Sequence, residues 1–221
     1  MNLAIFDLDN TLLAGDSDYL WGQYLVKQGL VDADFYESEN QRYYDEYKAG
    51  TLDIFAFLKF SFQPLANNDL QQLLKFRKKF ISEHILPIIP DAARALLDKH
   101  RKQNHYILII TATNLFITEP IARELSADDI IATEPEFKNN RYTGEVSGTP
   151  CFQEGKVTRL NSWLETKNKT LNNSWFYSDS HNDLPLLRLV THPVAVDPDE
   201  ILAQVAVEQG WPIISLRNKP A

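Results

Sequence analysis

The sequence predicts an α/β protein with a doubly wound, mainly parallel (Rossmann-like) sheet and an inserted helical cap. The run from Leu3 to Phe6 is apolar throughout, which is typical of a strand buried on both faces of a parallel sheet. Beyond Pro90, further apolar runs alternate with helical segments, as they do in doubly wound folds. Between these parts, four helical segments follow one another without a strand, and a simple alternating pattern does not produce that.

The helical insertion divides the chain into a cap, residues 14–85, and a core, residues 1–13 and 86–221. The cap helices are recognised by their capping residues and by apolar positions at helical spacing. The first begins at Asp16 or Ser17 and ends at Gly29, the second stops at Gly50, the third is capped by Thr51 and followed by Pro64, and the fourth covers about 68–85.

The core elements beyond Pro90 are placed by apolar runs, by helical periodicity and by turn residues. They are a helix over 91–103, a strand over 106–110, a helix ending at 125, a short strand over 129–132, a β-hairpin within 134–153, a helix opening at 155, a strand over 174–178, and strands over 193–196 and 212–215 separated by a helix from about 199.

The composition is that of an ordinary globular protein, with 44% hydrophobic and 24% charged residues. A net charge of −8 and a pI of about 5.1 argue against nucleic acid as a partner. The single cysteine, Cys151, excludes an internal disulfide and a multi-cysteine metal site. No basic segment precedes the first apolar run and no run approaches transmembrane length, so we expect a soluble cytoplasmic monomer or homodimer without a membrane partner.

The first apolar run ends abruptly at Asp7-Leu8-Asp9-Asn10-Thr11. Ligands of open parallel sheets bind beyond the carboxyl ends of the strands, and this is where the two carboxylates lie. Two neighbouring carboxylates repel each other, and Mg²⁺, which prefers oxygen ligands, would relieve that repulsion. The motif therefore predicts a magnesium site, although the same residues are also common in a polar turn.

Three later features complete a set in chain order. Thr111 ends a buried strand, Lys156 stands at the start of a helix, and Asp179 and Asp183 follow another buried strand. Each residue alone has an ordinary interpretation, as a helix cap, a solvated lysine or a capped turn. Their joint occurrence in this order favours a functional set.

This order of motifs resembles the haloacid dehalogenase superfamily of phosphatases. The helical insertion between the first and second motifs is most similar to its phosphoserine-phosphatase-like branch. The resemblance implies an enzyme, a phosphoric monoester hydrolase, that acts on a small phosphorylated metabolite. It implies that Asp7 attacks phosphorus to form an aspartyl phosphate and that Asp9 serves as general acid and base.

The resemblance also implies the ligands of the site. Mg²⁺ would be held by Asp7, by the backbone carbonyl of Asp9 and by Asp179, with Asp183 supporting the metal shell. The phosphate would be bound by Thr111, Ala112, Lys156 and Asn182, the last of which either contacts phosphate or orders its loop. We also expect a helix to begin just after Thr111. The backbone N–H groups at its N-terminus would then suit an anion.

Substrate specificity is expected from the cap. By resemblance, Asp16 is positioned to face a substrate amino group and Lys59 a substrate carboxylate. Asp16 serves equally well as a helix cap. Lysine cannot form a bidentate clamp on a carboxylate, so the sequence favours an exposed helix lysine at Lys59. His181 is expected to be an ordinary loop histidine. The cap is rich in aromatic residues, most of which we expect in the core. The remainder could line a pocket for a flat leaving group, such as an imidazole-bearing phosphate ester.

Other functions remain open on the sequence alone. The aspartyl phosphate could pass to an acceptor other than water, which would make the protein a phosphotransferase. The enzyme could also be specific for phosphoserine or for histidinol phosphate. A phospho-accepting signalling domain carries a similar acidic cluster, but its accepting aspartate lies on a middle strand. A non-catalytic metal binder is disfavoured by the intact set Asp7, Asp9, Lys156 and Asp179.

Overall fold

A computed structural model describes residues 1–217. Within them, one seven-stranded sheet has the order β4-β3-β2-β1-β5-β6-β7. All neighbouring strands are parallel except β3 and β4, which are antiparallel. The strands are β1 (Leu3–Phe6), β2 (Tyr106–Asn114), β3 (Asp129–Lys138), β4 (Arg141–Ser147), β5 (Trp175–Ser178), β6 (His192–Val196) and β7 (Ile213–Ile214). The predicted fold class is confirmed.

Nine α-helices are described within residues 1–217, and five of them lie between β1 and β2, of which the first four form the helical insertion. The helices are α1 (Ser17–Lys27), α2 (Ala33–Lys48), α3 (Ile54–Asn67), α4 (Leu70–Phe80), α5 (Asp91–Lys102), α6 (Leu115–Glu124), α7 (Glu154–Lys167), α8 (Leu184–Leu187) and α9 (Glu200–Gln209). None of these helices is long and apolar enough to cross a membrane.

The central strand β1 is buried on both faces, as its sequence predicts. Leu3 and Ile5 pack into the apolar cluster on one face of the sheet, whereas Ala4 and Phe6 pack into the cluster on the other. All four side chains are fully buried. The alternation of side chains along a strand explains why a strand covered on both faces must be apolar at every position.

The third cap helix differs from its prediction at both ends. Its N-cap is Asp53, whose carboxylate accepts from the backbone N–H groups of Phe55 and Ala56, and not Thr51. The helix also continues through Pro64 to Asn67. Proline costs one hydrogen bond but is tolerated here in the last turn, where Asn68 Nδ2 donates to the Pro64 carbonyl over 2.8 Å.

The β-hairpin predicted within residues 134–153 is formed by β3 and β4. Asn139 and Asn140 connect the strands with positive φ angles of 50° and 61°, the geometry of a tight two-residue hairpin turn. β4 packs against α3 of the cap, so that Gly144 lies close to Ala66. The hairpin thus supports the cap from the edge of the sheet.

Candidate active site

The carboxyl ends of three neighbouring strands bring the predicted motifs together. β1 lies between β2 and β5. Asp7 follows β1, Asp179 follows β5, and Thr111 lies near the end of β2. The chain leaves β1 towards β2 on one side and returns to β5 on the other. This is a topological switch point, where open α/β sheets bind their ligands.

A wide turn over Leu8–Leu12 carries the first motif. Within it, Asn10 has a φ of +55°, in the left-handed region that asparagine tolerates better than most residues. Thr11 Oγ1 donates to Asp179 Oδ1 over 2.9 Å and lies 3.5 Å from Asp7 Oδ2. The carboxylates of Asp7 and Asp179 therefore lie on either side of one hydroxyl group.

Lys156 lies between two carboxylates at the start of α7. Its Nζ is 2.7 Å from Asp7 Oδ1 and 2.7 Å from Asp183 Oδ1, and its side chain is only 3% exposed. Gly155 allows the chain to pack this closely, because a Cβ at that position would collide with the Pro150 carbonyl. Asp183 thus holds the lysine against the predicted nucleophile.

This cluster carries an excess of buried negative charge. Burial raises the pKa of Asp7 to about 7, although Lys156 opposes the shift. Burial also raises the pKa of Asp179 well above its usual range, and the charge of Asp7 adds to that effect. For Lys156, burial lowers the pKa, but the charges of Asp183 and Asp7 outweigh it and hold the lysine protonated.

The donor set fits Mg²⁺. No group of three His, Cys, Asp or Glu side chains suited to a metal occurs in residues 1–217, but the predicted set needs only the two carboxylates Asp7 and Asp179 and one backbone carbonyl, that of Asp9. Mg²⁺ commonly binds to one or two carboxylates and keeps water or substrate phosphate in its other positions. A bound dication would also supply the positive charge that the raised pKa values of Asp7 and Asp179 indicate is lacking.

Asp9 is oriented by three donors. Its Oδ1 accepts from the backbone N–H of Ser17 over 2.6 Å, and its Oδ2 accepts from Thr113 Oγ1 over 2.8 Å. Thr111 Oγ1 is also near, at 3.4 Å from Oδ2. Burial raises the pKa of Asp9, whereas the hydrogen bonds from Ser17 and Thr113 lower it. Burial and hydrogen bonding therefore act on the pKa of this carboxyl group in opposite directions, and burial is the larger effect.

The second motif differs from its prediction. β2 continues past Thr111 to Asn114, and α6 begins only at Leu115, with Asn114 as its N-cap. The N–H groups just after Thr111 are therefore not at a helix N-terminus, and that of Thr113 donates to Thr111 Oγ1 over 3.1 Å. The register of β2 against β3 shifts between Thr111 and Asn114, an irregularity of the kind that a β-bulge produces.

The residues of the fourth motif join the core to the cap. Asn182 Nδ2 donates to the Tyr47 carbonyl at the end of α2 over 3.1 Å, while its Oδ1 accepts from Gln153 Nε2 over 2.9 Å. His181 Nδ1 lies 2.8 Å from Asp199 Oδ2. Asn182 thus ties its loop to the cap, and His181 is held by Asp199, the N-cap residue of α9.

A cavity opens from this cluster into the cap. It contains about 590 Å³ of empty space, including its open mouth. The core contributes acidic and hydroxyl side chains, and the cap contributes an aromatic wall of five side chains together with Asp16 and Asp18. The lining residues are Asp7, Asp9, Asp16, Asp18, Tyr19, Asn40, Tyr43, Tyr44, Tyr47, Leu52, Ile54, Phe57, Thr111, Ala112, Thr113 and Phe152. Part of the aromatic content of the cap therefore faces the cavity, beside those aromatic residues that lie in the core.

Of the two predicted specificity residues, Asp16 lines the cavity and Lys59 does not. Asp16 lines the cavity and also caps α1, because its Oδ1 accepts from the backbone N–H groups of Asp18 and Tyr19 over 3.0 and 2.9 Å. Lys59, in contrast, is exposed on α3 and is not among the residues that line the cavity. The structure thus does not bring Lys59 to the site.

Asp18 and Thr113 are site residues that the sequence analysis missed. Asp18 lines the cavity beside Asp16, and Asn114 Nδ2 donates to its Oδ1 over 3.0 Å. Burial raises the pKa of Asp18 to about 7, and the charge of Asp9 adds to the shift. One signal was available in the sequence: four aspartates fall within residues 7–18, and no lysine or arginine precedes Lys27.

Comparison with known proteins decides the family. The family model described as haloacid dehalogenase-like hydrolase matches residues 4–188. A histidinol-phosphatase of Neisseria meningitidis serogroup C is 48% identical over 220 residues, which cover 98% of this chain and 99% of that protein. The chain is a haloacid dehalogenase-like hydrolase. Both the predicted family and the predicted class of enzyme, a hydrolase, are confirmed.

Two solved structures support the same assignment of the fold. A protein of unknown function from Bordetella pertussis Tohama I superimposes with a TM-score of 0.92 and 38% identity, covering 98% of this chain and 99% of its own. A phosphoserine phosphatase with a phospho-aspartyl intermediate analogue superimposes with a TM-score of 0.72 and 16% identity, covering 99% and 94%. This haloacid dehalogenase-like hydrolase therefore has the fold of the phosphoserine-phosphatase-like branch.

Proposed function

We propose that this protein is a Mg²⁺-dependent phosphatase that hydrolyses a small phosphomonoester through an aspartyl phosphate on Asp7. One observation carries the proposal. Asp7 lies at the switch point of the sheet, 2.7 Å from Lys156, while Asp9 points its carboxyl group into the same cavity. A nucleophile and an acid–base group are thus held side by side at the inner end of the cavity.

In the first half of the reaction, an Asp7 carboxylate oxygen attacks phosphorus, and the bond from phosphorus to the substrate oxygen breaks. Asp9 gives its proton to that leaving oxygen, which departs as an alcohol. Lys156 offsets the negative charge of both the nucleophile and the phosphoryl oxygens. Thr111 lies where its hydroxyl could donate to a phosphoryl oxygen in place of its weak contact with Asp9.

In the second half, water attacks the phosphorus of the acyl phosphate. Asp9, now ionised, takes the proton from that water, and the bond from phosphorus to Asp7 breaks to release inorganic phosphate. Mg²⁺, held by Asp7, Asp179 and the Asp9 carbonyl, would neutralise charge on the phosphoryl group throughout. Asp183 acts through Lys156, which it holds in place from the side opposite to Asp7.

We further propose that the substrate is histidinol phosphate or a close amino alcohol phosphate. The similarity to a histidinol-phosphatase over almost the whole of both chains supports this substrate. The cavity supports it independently, because an aromatic wall suits the flat imidazole ring and an acidic side chain in the lining suits an ammonium group.

The proposal is tested by phosphate release from histidinol phosphate with Mg²⁺, with EDTA and with the Asp7→Asn variant. We expect turnover only with Mg²⁺, and a fall in kcat of at least about 10³-fold in Asp7→Asn. Asp98→Asn, on the exposed face of α5, is the matched control and should retain full activity. Magnesium-independent turnover, or turnover that survives Asp7→Asn, would contradict the mechanism.

A substrate panel tests the leaving group. We expect kcat/KM for histidinol phosphate to exceed that for phosphoserine, for a sugar phosphate and for p-nitrophenyl phosphate. Strict preference for phosphoserine would refute the histidinol assignment but leave the mechanism intact. Release of alcohol without an equal release of inorganic phosphate, in the presence of a second alcohol, would identify a phosphotransferase instead.

A further inference from the structure

The cavity has an acidic end that the reaction does not use. Asp16 and Asp18 lie there, seven and nine residues beyond the general acid Asp9, and neither belongs to the predicted metal or phosphate ligands. Both side chains are half-buried. A carboxylate removed from water needs hydrogen bonds or a cation to remain charged, so the partners of these two residues indicate what the cavity is built to bind.

Within residues 1–217, this acidic end has no basic partner. The lining of the cavity includes no lysine, arginine or histidine, and no salt bridge reaches Asp16 or Asp18. Lys156 is already shared by Asp7 and Asp183. Magnesium would offset the charge of Asp7 and Asp179. The charge of Asp16 and Asp18, which line the cavity together with the aromatic wall, is then left to be balanced by the substrate.

Asp16 and Asp18 differ in how their oxygen atoms are used. Asp16 Oδ1 accepts two backbone N–H groups as the N-cap of α1, which is sufficient reason for an aspartate at that position. Asp18 caps nothing. Its Oδ1 accepts from Asn114 Nδ2 over 3.0 Å, and Ser61 Oγ lies 3.4 Å from its Oδ2.

We propose that Asp18 is the residue that binds the ammonium group of the substrate. Its two neutral partners come from different parts of the molecule, Asn114 from the end of β2 and Ser61 from cap helix α3. They orient the carboxylate without neutralising it, and Oδ2 keeps the capacity to accept a strong bond from a cation. This assignment rests on the proposed function and moves amine recognition from Asp16, which the family resemblance favours, to Asp18.

The test is a thermodynamic cycle between the residue and the substrate amine. kcat/KM is measured for histidinol phosphate and for its analogue without the amino group, 3-(imidazol-4-yl)propyl phosphate, in the wild type, Asp18→Asn and Asp16→Asn. Asn is close to isosteric with Asp and caps helices equally well, so Asp16→Asn is a matched control that keeps α1 intact.

We expect Asp18→Asn to lower kcat/KM at least about 30-fold more for the amine than for the analogue, mainly through KM. Asp16→Asn should show a difference below about threefold between the two substrates. Equal losses for both substrates in Asp18→Asn would overturn the assignment. A larger difference in Asp16→Asn would return amine recognition to Asp16.

Binding of histidinol itself, measured by calorimetry, keeps the two proposals separable. It requires no catalysis, so it remains informative if the wild type hydrolyses neither phosphate ester, an outcome that would refute the proposed function. We expect histidinol to bind the wild type and Asp16→Asn, and to bind Asp18→Asn at least about tenfold more weakly. Equal affinity in Asp18→Asn, or no binding to the wild type, would overturn the role of Asp18.

Discussion

Lys156 donates from Nζ to Asp7 Oδ1 over 2.7 Å, in a pair whose side chains are only 3% and 6% exposed. The pair joins the start of α7 to the end of β1. A buried ion pair gains little over an apolar pair, because removing both charges from water costs as much as their attraction returns. The presence of this pair beside the cavity therefore fits a functional requirement for a charged lysine next to a carboxylate.

We predict that Lys156→Met abolishes activity and destabilises the fold. Asp7 and Asp183 would then share a buried space without a cation, which costs about 3–5 kcal/mol of unfolding free energy. The loss of charge compensation should lower kcat by at least about 10²-fold. Urea denaturation and steady-state kinetics measure the two effects.

Lys167→Met is the control for this variant on the same helix. Lys167 pairs with Asp129 over 2.8 Å, but its side chain is 43% exposed, so solvent screens the pair. Its removal should cost less than about 1 kcal/mol and leave kcat unchanged. The double variant Lys156→Met/Asp183→Asn should recover part of the stability but none of the activity. Full activity in Lys156→Met would exclude the proposed role of the lysine.

Thr113→Val should change the pH dependence of catalysis. The 2.8 Å bond from Thr113 Oγ1 to Asp9 Oδ2 stabilises the ionised carboxylate and so lowers its pKa. Without that bond the pKa of Asp9 rises further, so the limb of the kcat profile that reports Asp9 should move to higher pH. We expect kcat at neutral pH to fall about tenfold.

Thr118→Val is the matched control for Thr113→Val. Thr118 is a buried threonine whose hydroxyl donates to the backbone carbonyl of Asn114 over 3.0 Å and contacts no acid. Its loss should cost about 1 kcal/mol of stability without moving the pH profile. A profile that is identical in Thr113→Val and the wild type would show that this threonine does not tune Asp9.

Stability should fall in mild acid because of His100. Its ring nitrogens lie 2.8 Å from His105 Nδ1 and 2.8 Å from the Tyr177 hydroxyl. Burial, aided by His105, lowers the pKa of His100 to about 4. The unfolded chain, with an ordinary histidine pKa of about 6.5, binds that proton first, so the stabilisation is complete above pH 6.5 and is lost towards pH 4.

The expected loss from His100 is about 3 kcal/mol across this window. It is measured by urea denaturation at several pH values in the wild type and in His100→Gln, which cannot take up the proton. The variant should be less stable at pH 7.5 but show a shallower dependence on pH. His192→Gln, at a half-buried histidine bonded to Asn173, is the control. Parallel curves for the wild type and His100→Gln would contradict the prediction.

The sequence predicted those parts of the molecule that depend on short stretches of chain. The apolar β1, the four consecutive cap helices and the hairpin at Asn139-Asn140 each follow from local patterns, and the motifs at strand ends follow from the topology that those patterns imply. The end of β2 could not be predicted from a local pattern, because the irregular register near Asn114 depends on pairing with β3 and not on the β-propensity of the residues.

The cap side of the cavity was the least predictable part. Asp18 is held by hydrogen bonds from Asn114, which is 96 residues distant in sequence, and from Ser61 on another cap helix. No periodicity encodes such a contact, because it depends on how the cap packs against the core. For the same reason, Lys59 could be matched to a family position by spacing and yet lie exposed on α3.

The contact between the cap and the fourth motif yields the last prediction. Gly50, which follows α2, has a φ of +70°, and a Cβ there would lie 2.7 Å from His181 Nε2. Gly29, which follows α1, has a φ of +67°, but a Cβ there would have no atom within 4 Å. An alanine would therefore be strained to nearly the same extent at both positions, and only at Gly50 would its methyl group meet the active-site loop.

Alanine at either glycine should cost about 1 kcal/mol of stability through the left-handed backbone alone. Gly50→Ala should in addition push the cap away from His181, raise KM and lower kcat/KM about tenfold, whereas Gly29→Ala should keep wild-type kinetics. His181→Ala in the Gly50→Ala background removes the ring that the new methyl group meets, so it should restore part of the lost kcat/KM. Equal kinetics in Gly50→Ala and Gly29→Ala would show that the fit of the cap on this loop does not control substrate binding.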